Sequence, residues 1–203
     1  MTGLWQRLRA RLRPAAIDTP AALRSFLEQR AALIAQKCAH DYCRGKTGLA
    51  SYALYTEAPF LRALDVCRWE TFAVVLGDLL ILAERYLLAH IGDGARPRLQ
   101  DALLDLHRAI LESMPRPAHR PAGWAEVLAT SAARLKDSAQ RPSTRELADH
   151  SAKRLFDTLP IHIGLRELDE EVVYGAVRFR MIAVSQEMER RIDAAPLARH
   201  LLG

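Results

Sequence analysis

The chain has 203 residues, 50% of them apolar and 26% charged, with a formal net charge of +5 and three cysteines. That composition supports one packed domain and excludes wholesale disorder, a disulfide framework and, since no run reaches about 18 apolar residues, a membrane span. No cleavable leader is visible, so the sequence reads as a cytoplasmic protein in a reducing setting.

Residues 1–13, MTGLWQRLRARLR, hold Arg7, Arg9, Arg11 and Arg13 and no acid, so they carry four of the five net positive charges. Leu4, Trp5, Leu8 and Leu12 recur at helical spacing, which describes a short basic amphipathic tail. The tail is either a solvated, frayed terminus or a contact in which Trp5 and the four arginines meet a protein partner or an anionic membrane surface. The remainder, 14–203, is close to neutral and reads as one helical domain.

Asp18 or Thr19 followed by Pro20 marks a helix start. Leu23, Phe26, Leu27, Ala31, Ile34, Cys38 and Tyr42 trace its apolar stripe, and Gly45 offers a left-handed stop. Thr56 is the expected cap of a second helix that runs to about Leu88 unless it bends at Gly77, and whose stretch Phe72 to Ala83 is buried on all sides. Pro97 opens a third helix ending near Ser113. Residues 114–123, with three prolines, form a stiff connector. A fourth helix covers about 123–139. Ser143 with Glu146 has the capping-box pattern of a fifth, which reaches Leu159. The last spans about Leu168 to Asp193, with acids in its first turn and arginines in its last, as the helix dipole favours. No stretch alternates β-branched and polar residues. The predicted fold is an all-α, single-domain bundle of about six helices around a long buried central one.

Most chemical motifs fail on spacing. The run CAHDYCRGKT (38–47) ends like a phosphate-binding loop, but the required first glycine falls at His40. On a helix Cys38 and Cys43 lie about 140° apart, so they cannot close one tetrahedral metal shell. His40 and Arg44 beside Cys43 leave an activated thiol as a reading to test. No glutamate precedes a histidine by three residues, and neither HExxH nor GxSxG occurs. No metal, cofactor or catalytic set is assigned. His107, among Leu103, Leu104, Ile110 and Leu111, reads as a satisfied core or boundary histidine.

Two ionisable groups fall on apolar stripes. Asp78 sits inside VVLGDLLIL, and Arg180 lies between Val177, Met181 and Val184. A buried carboxylate needs a partner, so Asp78 is expected to meet Arg180, or Arg85 on its own helix. That pair either fixes helix register or, with His162, lines a polar-centred ligand pocket. The loop PIHIGLR (160–166) is apolar enough to be tucked into the bundle. Arg178 and Arg180 flank Phe179, a composition found at interface centres.

Three functional readings follow. The first is a non-enzymatic binding or accessory protein acting through protein–protein contacts with a partner or a second copy. The second is a small-ligand-binding protein or enzyme with a pocket at Asp78, Arg180 and His162. The third, nucleic-acid binding through the arginine-rich tail, is disfavoured because the near-neutral body adds little phosphate affinity.

Overall fold

The computed structural model describes residues 15–137 and 142–203. The tail, including Trp5, Arg7, Arg9, Arg11 and Arg13, lies outside them. The described residues form an all-α bundle. Its helices are α1 (Pro20–Thr47), the single turn α2 (Ser51–Leu54), α3 (Ala58–Ile91), α4 (Arg96–Ser113), α5 (Ala125–Asp137), α6 (Thr144–Thr158), the short α7 (Ile163–Arg166), α8 (Glu170–Arg191) and α9 (Ala194–Leu202). Among the described residues, none of them is long and apolar enough to cross a membrane.

Helix α3 is the axis. Its 34 residues extend roughly 50 Å. From Glu70 to Leu88 nearly every side chain is buried, because α1, α4, α5, α6 and α9 pack around it. Of the two courses left open at Gly77, the uninterrupted one holds: the helix runs on to Ile91. Glycine is there for a different reason. A Cβ at position 77 would lie 2.5 Å from Ser131 Oγ, so α5 crosses α3 at backbone distance.

Several ends move from their expected places. Thr19 caps α1 by accepting the Ala22 N–H at 3.3 Å. The helix then continues past Gly45 and stops at Gly48, whose φ of 51° supplies the left-handed turn. Thr56 does not cap α3; its hydroxyl donates to the Ala53 carbonyl at 2.6 Å, and the helix begins at Ala58. The capping box of Ser143 and Glu146 forms as read. The segment 160–166 is only partly tucked: Ile161 and Arg166 are buried, while His162, Ile163 and Leu165 are exposed.

Helix α9 was not anticipated. The chain turns extended at Ile192, where the Ile17 N–H donates to the Arg191 carbonyl at 2.8 Å and the Asp193 N–H to the Ile17 carbonyl at 3.1 Å. This pairing ends α8 and redirects the chain. α9 then buries Leu197 and Ala198 against the bundle.

Candidate functional site

Three acids on α3, Glu70, Asp78 and Glu84, are at most 4% exposed. A carboxylate removed from water stays ionised only where charged or hydrogen-bonding partners replace the solvent. Each of the three has such partners, drawn from later segments of the chain.

At Asp78, Ser151 Oγ donates to Oδ2 at 2.6 Å and His150 Nδ1 lies 3.0 Å from the same oxygen. Arg134 forms an ion pair with Oδ1, and its Nη1 also approaches His150 Nδ1 to 2.6 Å. One residue of α5 and two adjacent residues of α6 are thereby tied to one carboxylate on α3. At Glu70, Arg120 donates from Nε at 2.6 Å and from Nη2 at 2.7 Å, a two-point clamp. His119 Nε2 lies 2.9 Å away, and Arg154 pairs with the second oxygen. Burial by itself would raise the Glu70 pKa. The Arg120 hydrogen bonds, the Arg154 charge and the His119 contact outweigh it and hold the group at about 2. Glu84 accepts from Gln100 Nε2 at 2.6 Å and pairs with Arg96 at 3.3 Å.

The residues expected to meet at Asp78 are not brought together. Arg180 is half-buried at the seam of α1 and α8, where it donates to Asp41 at 2.9 Å. Arg85 donates to the Pro142 carbonyl at 3.0 Å and to Thr144 Oγ1 at 2.9 Å, holding the start of α6. His162 is exposed, and its Nδ1 accepts the Gly164 N–H at 3.2 Å to cap α7. The reason is positional: α6 packs against both α3 and α8 and presents His150 and Ser151 to Asp78. One signal for this was readable. Ser151 lies four residues from both Leu147 and Leu155, on the apolar stripe of α6.

A groove of about 300 Å³ between α5 and α6 is lined by Val74, Val127, Ser131, His150 and Arg154, among others. It reaches His150 but stops short of Asp78, which is sealed behind its partners with no exposure. The thiol reading also fails. Cys43 is fully buried, and desolvation pushes its pKa up to about 12, away from thiolate reactivity. Among the described residues no group of three or more His, Cys, Asp or Glu is placed to hold a metal.

Protein-family models, curated proteins and solved structures offer no match to this chain. The chemistry of its own residues is the ground for any function.

His107 differs from the expectation in an informative way. It is fully buried, yet neither ring nitrogen has a hydrogen-bond partner among the described residues. Desolvation lowers its pKa from 6.5 to about 4. The unfolded chain then takes up a proton at a pH where the native one does not. The contribution of His107 to stability is complete above pH 6.5 and declines as pH falls toward 4, by about 3 kcal/mol in total. Urea midpoints measured between pH 7 and 4 are expected to fall more steeply for the natural chain than for His107→Met. Parallel curves would refute this assignment.

The outward face of α8 is the other notable surface. Val173, Val177, Met181, Val184 and Met188 face the core. The opposite side carries Val172, Gly175, Phe179, Ile182 and Ala183, continued upstream by Leu168. Leu168 is 93% exposed, Val172 64%, Phe179 74% and Ile182 45%. The neighbouring charges are satisfied within the chain. Arg178 pairs with Asp149 at 2.5 Å and with Glu171 at 2.9 Å, and Arg180 pairs with Asp41.

Proposed function

We propose that this chain is a non-enzymatic helical binding protein that acts through protein–protein contacts, with the outward face of α8 as the contact surface. The observation that carries this reading is the uncharged stripe centred on Phe179. Contiguous exposed apolar surface marks interaction sites. Paired flanking charges leave the stripe without a net charge for nucleic acid to recognise.

The partner is a second copy. Gly175 precedes Phe179 by four residues and Ala183 follows it by four, one turn on either side along the same face. An antiparallel two-fold pairing of α8 helices, its axis level midway between Gly175 and Phe179, seats each phenyl ring on Gly175 of the other copy, so the face is complementary to itself. A buried aromatic at the centre of such a contact supplies much of its energy.

Sedimentation velocity of the full chain is expected to show a reversible dimer in the micromolar range. Phe179→Glu, which alters an exposed position, should weaken dimerisation at least tenfold, about 1.4 kcal/mol or more, without changing the thermal midpoint of the monomer. A wild-type chain that remains monomeric at high micromolar concentration, or a Phe179→Glu chain that dimerises equally well, would overturn the reading.

A further inference from the structure

A second surface is built for a ligand of another kind. Between α4 and α5, beside the proline-rich connector, lies a hollow of about 760 Å³. That volume falls within the range of small-molecule sites. Its walls mix polar and apolar surface; the apolar side chains are Leu104 and Leu111 from α4, Met114 and Trp124 from the connector, and Leu128 from α5. The small side chains Ala125 and Ala129 leave the space open.

The Trp124 wall is held from behind. The Arg120 guanidinium lies 5.4 Å from the Trp124 ring centroid, and the Trp69 ring lies 6.4 Å away. Arg120 is itself clamped by the buried Glu70. The wall is therefore set before any ligand arrives, which lowers the ordering cost of binding.

The rim carries the selectivity. Arg108, Arg116 and Glu112 line the hollow together with its apolar side chains. Arg108 is paired with Asp105 at 2.9 Å. Arg116 is exposed and donates only to the Pro121 carbonyl at 3.3 Å, with no carboxylate at ion-pair distance among the described residues. Glu112, also exposed, has no cation at ion-pair distance among the described residues, so the mouth offers one guanidinium and one carboxylate, and an amphiphile with an anionic head is held where that head reaches Arg116.

We infer that the hollow between α4 and α5 binds a single-chain aliphatic carboxylate, its hydrocarbon against Leu104, Leu111, Trp124 and Leu128 and its carboxylate on Arg116. Calorimetric titration of the full chain with dodecanoate, kept below its micelle concentration, tests this. One saturable site is expected, with dodecylamine binding at least tenfold more weakly. Arg116→Ala should weaken dodecanoate about tenfold, the loss of one charge-assisted contact. Ala129→Trp fills the hollow from an exposed position and should abolish binding, while circular dichroism reports an unchanged melting midpoint. The inference is overturned by absence of saturable binding, by equal affinity for dodecylamine, by unchanged affinity in either variant, or by binding to anionic phospholipid vesicles without binding to dodecanoate monomers. Dimerisation through α8 is measured separately, so the two proposals fail independently.

Discussion

Replacing Asp78 with alanine is expected to destabilise the protein by about 3–5 kcal/mol in urea unfolding followed by circular dichroism. The side chain is fully buried, and its removal leaves the Arg134 charge and the Ser151 hydroxyl without their common acceptor. Such a loss is a large share of the 5–15 kcal/mol that a domain has in total. Asp78→Asn keeps the shape and an acceptor for Ser151, so its cost should be smaller. Adding Arg134→Met to Asp78→Asn removes the stranded charge and should recover part of the stability, since replacing a buried pair outright is often close to neutral. A loss under 1 kcal/mol for Asp78→Ala would mean that the centre does not hold α3, α5 and α6 together.

Glu70→Ala is expected to cost less, about 2–3 kcal/mol, because Arg120 keeps Glu126 as a partner and Arg154 is partly exposed to solvent. This centre also makes a pH-dependent contribution of definite sign. The Glu70 pKa is about 2 in the folded chain against an ordinary 4.5. Its stabilisation is complete above pH 4.5 and is lost as pH falls toward 2, roughly 3 kcal/mol over that interval. Between pH 4.5 and 2 the Glu70→Gln chain should therefore lose less stability than the natural chain. Equal losses would remove Glu70 from the account of acid unfolding. The variant has a second consequence: Arg120 then keeps only Glu126 as an ionic partner, so its hold on Trp124 loosens and ligand binding at the hollow between α4 and α5 should weaken.

The long helices were legible because each announces itself locally. Pro20 behind Thr19, the capping box of Ser143 and Glu146, and the apolar run around Val75 to Ala83 need no distant residue to be read. Errors gathered where a distant residue decides. Gly77 marks no break in its helix; Ser131, 54 positions along, leaves no room for a Cβ there. α8 ends where Ile17, from the other end of the chain, pairs with Ile192. His107 was expected to be satisfied, but whether a partner lies beside a buried ring depends on side-chain placement in three dimensions.

The same division runs through the candidate site. A carboxylate within VVLGDLLIL must be buried and must have partners, and desolvation alone dictates that. Which partners it has depends on the order in which helices stack around α3. The stacking put α6 against Asp78 and left Arg180 to Asp41. Phe179 lies beside two arginines in the sequence, yet only the packed bundle turned it outward and tied those arginines to acids on α1, α6 and α8.

Sequence alone therefore determined an all-α bundle, a central helix buried on every side, and an acid within it that could not stand unpaired. These follow from periodicity, capping and the cost of dehydrating charge, which act over one or two helical turns. Tertiary structure alone decided the pairing of Glu70, Asp78 and Glu84, the hollow beside Trp124 and the bare stripe on α8. Those depend on which helix faces meet, and contacts between residues tens of positions apart leave no periodic trace in the chain.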